Sequence, residues 1–204
     1  MRRIILFVFA IAGLLSFTIQ GPGLALGDEA PLQDRAMKDI SGKSFSLSDL
    51  KKENGLLVIF SCNTCPFVLG WESNYPVLGD LSDRLDIGMV LVNSNEAFRS
   101  DQDSFDAMVD HAKKAGYNTP YVVDADHKLA DAFEANTTPH VFLFDKDMKL
   151  VFKGSINDKY ENKDKKATQD WLIAALRQLA AGLPENIDPA ETRNIGCSIK
   201  RVKI

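Results

Sequence analysis

Phe60-Ser61-Cys62-Asn63-Thr64-Cys65-Pro66-Phe67 is the stretch whose reading decides the fold. Leu56-Leu57-Val58-Ile59-Phe60 leads into it, an apolar run of strand length with β-branched content. After Pro66 the apolar spacing of Phe67-Val68-Leu69-Gly70-Trp71 becomes helical. Two cysteines separated by two residues therefore sit where a strand hands over to a helix. A helix N-terminus carries unpaired N–H groups and a partial positive charge, so a thiolate placed there is expected to be stabilised and its pKa lowered. Cys62, the outer thiol, reads as the nucleophile and Cys65 as the resolving thiol. Pro66 suits the first helical turn, where a missing N–H costs nothing.

A zinc site would need two or more further ligands at suitable spacing. The chain offers Cys197 and three scattered histidines, His111, His127 and His140, so no metal is assigned. A purely structural Cys62–Cys65 bridge would close almost no loop and constrain the unfolded chain little. Reversible redox chemistry between Cys62 and Cys65, with no cofactor, is the expectation.

Working outward to the start, Met1-Arg2-Arg3 precedes an apolar run from Ile4 to Ile19, and small residues close the segment at Gly23-Leu24-Ala25-Leu26-Gly27. That layout predicts a signal peptide over residues 1–27, cleaved after Ala25 or Gly27, and one domain over 28–204. The expected location is periplasmic or secreted, where disulfide chemistry is permitted. An uncleaved N-terminal segment anchoring the protein to a membrane is the alternative. The net charge of −4 gives no electrostatic footprint for nucleic acid.

Arg35 to Ser46 reads as a hairpin turning at Ser41-Gly42-Lys43, and Ser46 caps a helical turn before the cysteine strand. A helix after Pro66 is expected to run to about Leu85, bent or broken at Pro76. Ile87 to Val92 and Tyr121 to Val123 read as strands, Phe105 to Ala115 as a helix ended by Gly116. His140 to Phe144 and Leu150 to Gly154 form a predicted hairpin, and Ala167 to Ala181 a closing helix. This order predicts an α/β fold, a central mixed β-sheet flanked by helices on both faces. Trp71 and Tyr75 read as core, His111 and His127 as surface residues.

The ordered motifs resemble the thioredoxin-fold redoxin (AhpC/TSA) superfamily, and more narrowly its peroxiredoxin-like thioredoxin-family proteins. The resemblance rests on Leu26-Gly27-Asp28-Glu29-Ala30-Pro31, on Cys62 to Val68, on Gly116 to Tyr121, on Thr137 to Asp145 around Thr138-Pro139-His140, and on the segments Gly154 to Asp158 and Gly196 to Lys200. It implies a thioredoxin-like fold in which Pro139 follows a cis bond and faces the cysteine pair. Thr138 backbone groups would then stand beside Cys62, ready to pair with an extended substrate segment.

A peroxidatic cysteine of this superfamily is expected to carry Pro-x-x-x-Thr/Ser-x-x-Cys. Counting back from Cys62 meets Ile59 and Gly55, and from Cys65 meets Cys62 and Val58. Dithiol–disulfide exchange is therefore the expected activity, with protein disulfides or dithiols as substrates and a thiol protein as electron donor. Thiol-dependent peroxide reduction is the alternative. A Cu(I)-handling role, with His140 as an added ligand, is the more distant one. Cys197 has two readings, a buried apolar filler or a third redox thiol within reach of Cys62 or Cys65.

Overall fold

The protein is described by a computed structural model covering residues 23–203. The predicted leader falls largely outside the described residues, but its end does not. Leu24 is buried in the core, its carbonyl accepts from Lys153 Nζ at 3.0 Å, and Gly27 N–H donates to the Leu150 carbonyl at 2.8 Å. The packed body thus takes in residues 23–27 as well as 28 onward. Among the described residues, no helix is long and apolar enough to cross a membrane.

The chain opens with the predicted hairpin, β1 (Met37–Asp39) against β2 (Ser44–Phe45). Ser46 then caps α1 (Leu47–Leu50) through a reciprocal box with Asp49, which satisfies N–H groups that the helix leaves unpaired. Next come β3 (Gly55–Ser61) and α2 (Pro66–Trp71), with Cys65 as the N-cap of that helix. A 3₁₀ turn over Glu72–Asn74 separates α2 from α3 (Tyr75–Arg84). Pro76 falls in the first turn of α3, where its missing N–H costs no hydrogen bond, so the expected break lies just ahead of the proline.

β4 (Ile87–Asn93), α4 (Phe105–Ala115), β5 (Tyr121–Val123) and α5 (Lys128–Ala132) follow. Gly116 ends α4 in the left-handed conformation, φ 71°, where a Cβ would be strained. The short β6 (Thr137–Thr138) precedes the hairpin β7 (His140–Phe144) and β8 (Leu150–Gly154). α6 covers Trp171–Ala180, four residues shorter at its start than the pattern predicts. The Asp158 carboxylate accounts for this: it takes the backbone N–H groups of Thr168 and Gln169, at 2.7 and 3.1 Å, and holds them in a loop. The last element is β9 (Cys197–Ser198).

The main sheet runs β2-β1-β5-β4-β3-β7-β8, with β3–β4 and β4–β5 parallel and the remaining pairs antiparallel. β3 lies inside it, buried on both faces. Alternation along β3 sends Leu57 and Ile59 into one core with Val68, Trp71, Met108 and Leu176. Leu56, Val58 and Phe60 enter the other, with Leu47, Leu129 and Phe133. Helices α2, α3, α4 and α6 therefore cover one face of the mixed sheet, and α1 and α5 the other. Trp71 and Tyr75 are fully buried, as the sequence predicts.

Candidate active site

The site lies at the C-terminal end of β3, where Ser61 ends the strand and residues 62–64 turn the chain into α2. Thr138 faces this turn, and the Thr138–Pro139 bond is cis, as the resemblance implies. The Cys62 Sγ lies 3.1 Å from Thr138 Oγ1, and the Cys65 Sγ lies 3.1 Å from the Thr138 carbonyl oxygen. One residue thus touches both cysteines, the first by its side chain and the second by its backbone. The hydroxyl contact adds to the backbone role that the resemblance implies for Thr138.

Cys197 reaches the same place from the C-terminal segment. It is disulfide-bonded to Cys65, with Cα atoms 6.0 Å apart across a sequence separation of 132, and Cys62 is the free thiol. In this state the bridge expected between Cys62 and Cys65 is replaced by Cys65–Cys197. The positioning is a strand pairing: β9 lies antiparallel to β6, with Cys197 opposite Thr138 and Ser198 opposite Thr137. Ile199 N–H donates to the Asn136 carbonyl at 3.0 Å and is itself buried. Lys200 N–H donates to Asn95 Oδ1 at 2.9 Å, and the Lys200 carbonyl accepts from Ala97 N–H at 2.9 Å.

Cys62 is only 2% exposed, and this changes its chemistry. Burial pushes its thiol above the ordinary value; the Thr138 hydroxyl pulls it down, the Asp103 carboxylate adds to the rise, and the N–H groups of Cys65 and Thr64 pull down again. The helix-end amides predicted to acidify Cys62 do reach it. Desolvation outweighs them, so the predicted acidic thiol is corrected to a raised one in this state.

Asp103 is the residue the sequence reading missed. Its side chain is completely buried and accepts from Asn63 N–H at 2.9 Å, Asn93 Nδ2 at 2.7 Å and Asn95 Nδ2 at 3.0 Å. Asn63 in turn accepts from the Tyr121 hydroxyl at 2.9 Å. Arg99 braces the same loop by donating to the backbone carbonyls of Asp103 and Asn93, at 2.6 and 2.7 Å. This network fixes the turn between the cysteines and carries the end of the C-terminal segment through Asn95.

The histidines depart from expectation. His127 is buried, with Nδ1 2.7 Å from Asp131 Oδ2 and Nε2 3.2 Å from the Val202 carbonyl. His111 is half-buried, with Nε2 2.8 Å from Glu72 Oε2. Both were expected at the surface, but the segments that cover them come from distant sequence. His140 packs on Phe142, ring centroids 4.3 Å apart, and lines a cleft with Lys153 and Arg193. The three cysteines line a different cleft of about 130 Å³, together with Thr138, Asn95 and Phe98. Among the described residues, no three His, Cys, Asp or Glu side chains are grouped to hold a metal ion.

A mixed sheet with a cis-proline loop facing a Cys-x-x-Cys turn at a helix N-terminus defines a thioredoxin-fold redox protein. Residues 26–153 match the AhpC/TSA family, and the chain belongs to it. An uncharacterized conserved protein from Geobacillus kaustophilus is 31% identical, with a TM-score of 0.81 over 88% of this chain and 93% of that one. Two more distant likenesses are to Xanthomonas campestris peroxiredoxin Q and to a secreted Mycobacterium tuberculosis disulfide oxidoreductase. Each is 16% identical with a TM-score of 0.53; the first covers 81% of this chain and 98% of the other, the second 74% and 97%. At that identity they show the fold alone. No curated protein matches the chain.

Proposed function

We propose that this redox protein is an extracytoplasmic thiol-disulfide oxidoreductase that works by dithiol–disulfide exchange. The observation that carries the reading is the convergence of Cys62, Cys65 and Cys197 on Thr138, with one disulfide and one free thiol in a single cleft. In the reduced protein, the Cys62 thiolate attacks one sulfur of a substrate disulfide and the other sulfur leaves as a thiolate, taking up a proton. The Cys65 thiolate then attacks Cys62 Sγ, releasing the second substrate thiol and leaving Cys62–Cys65 oxidised. The substrate disulfide gains two electrons and the two cysteines supply them. A dithiol protein closes the cycle by returning them.

Peroxide reduction is less well supported. The superfamily's peroxidatic pattern Pro-x-x-x-Thr/Ser-x-x-Cys is missing, with Gly55 and Ile59 at the proline and hydroxyl positions counted back from Cys62. The leader-like layout of residues 1–27 supports a place outside the cytoplasm.

The test compares insulin-disulfide reduction with peroxide consumption, using the residue 23–204 protein and the same thiol donor in both arms. The expected result is insulin reduction that falls at least about a hundredfold in Cys62→Ser, with peroxide consumed more slowly. Peroxide consumed faster than insulin, with the same dependence on Cys62, overturns the reading in favour of a peroxidase.

A further inference from the structure

Resting on the exchange reading, we propose that Cys197 is a third exchange thiol, which takes Cys65 from Cys62 after each substrate disulfide is reduced. The Cys197 thiolate attacks Cys65 Sγ, the Cys62–Cys65 bond breaks, and Cys62 leaves as a thiolate that takes up a proton. One disulfide is exchanged for another, so no further oxidant enters. The product is the state in the structure: Cys65–Cys197 bonded and Cys62 free.

Three observations carry this step. The first is that Cys197 is anchored independently of its sulfur. Asn194 donates to Thr137 on one side, and Ile199 and Lys200 are tied to Asn136, Asn95 and Ala97 on the other. Reduction of the bond therefore leaves the Cys197 thiol beside Cys65, where a tethered group acts at high effective concentration. The second is that Cys65 is shared: it lies against the same Thr138 as Cys62, and both sulfurs open on one cleft.

The third is that β9 pairs with β6, Cys197 opposite Thr138, so the backbone itself sets Cys197 beside the residue that both other cysteines touch. Gly196 makes the fit, because a Cβ there would lie 2.3 Å from the Thr138 carbonyl oxygen.

The test follows the disulfides of the reduced residue 23–204 chain after addition of one equivalent of insulin. Samples are acid-quenched over time, alkylated, digested and mapped by mass spectrometry. The expected course is early Cys62–Cys65, replaced by Cys65–Cys197 in roughly tenfold excess or more, with the alkyl group on Cys62. Gly196→Ala keeps all three thiols but pushes β9 from β6, and is expected to accumulate Cys62–Cys65.

In Cys62→Ser, insulin is expected to form Cys65–Cys197 at least about tenfold more slowly than in the unaltered chain. Persistent Cys62–Cys65 with alkylated Cys197 overturns the proposal while leaving the exchange reading intact. Formation of Cys65–Cys197 at an undiminished rate in Cys62→Ser also overturns it, marking the bond as structural. Insulin that oxidises none of the three thiols overturns both the proposal and the exchange reading.

Discussion

The Cys62 sulfur and the Thr138 hydroxyl, 3.1 Å apart, form the contact through which the cis-proline loop acts on the nucleophile. A hydroxyl donating to sulfur favours the thiolate, and here it is the largest of the influences opposing burial. Thr138→Val keeps the shape and removes the donor. It is expected to slow alkylation of Cys62 at pH 7 by about tenfold, in line with a hydrogen bond to a charged group. Iodoacetamide labelling followed by intact mass measures it.

Asp103 pushes the other way. Asp103→Asn removes the carboxylate that disfavours the Cys62 thiolate, so the alkylation profile of Cys62 should move to lower pH. An amide at this position keeps one oxygen to accept from Asn63 N–H and Asn93 Nδ2, and turns its NH2 group toward Asn95 Nδ2, which loses its acceptor. Leaving buried donors unmatched costs about 1–3 kcal/mol, which denaturant unfolding should register as a lower midpoint.

In the oxidised chain, the raised Cys62 thiol sets a direction on pH. The folded state holds the proton more tightly than the unfolded state. Its contribution to stability is therefore full below the ordinary thiol value and lost as pH rises through the folded one. Alkylation of Cys62 without reductant should keep rising with pH across the neutral range. Cys62→Ala should flatten the alkaline limb of the melting temperature against pH.

His140 sets the acid side. Burial, with Lys153 nearby, holds its pKa down to about 3, so the imidazole is neutral at pH 7. A depressed folded value contributes stability above the ordinary 6.5 that is lost as pH falls toward 3. The His140 ring resonances should show no titration between pH 5 and 8, and His140→Phe should weaken the loss of stability over the acid range.

The Cys65–Cys197 bond joins residues 132 apart in sequence. By the chain-entropy account, a loop of that length stabilises the fold by about 4–5 kcal/mol. Thermal unfolding with and without dithiothreitol should differ by about ten degrees or more, and Cys197→Ala should remove the difference.

Much of this fold can be read from local pattern. The apolar run before Cys62, the Ser46 cap, the Gly116 stop and the hairpin from His140 to Gly154 all follow from periodicity and turn chemistry within a few residues. The cysteine turn and the Thr138-Pro139 loop are legible because motif and resemblance agree on them. What could not be read depends on contacts far apart in sequence. Asp103 lies in a polar loop with no periodic signal, and only the fold brings it under Asn63. His127 is tied to the Val202 carbonyl of the C-terminal segment, and the start of α6 is held back by Asp158. The partner of Cys65 depends on β9 crossing the molecule to pair with β6. A helix-end argument predicts an acidic Cys62, but burial is a tertiary property and it dominates.

The most direct test of Cys62 as the exchange nucleophile is a trapping measurement on Cys65→Ser. Without Cys65, a mixed disulfide formed at Cys62 has lost its resolving thiol. Mixed with a disulfide-bonded peptide and quenched in acid, the chain should gain the mass of one peptide half, mapped to Cys62. An adduct mapped to Cys197, with Cys62 left unmodified, would contradict the account.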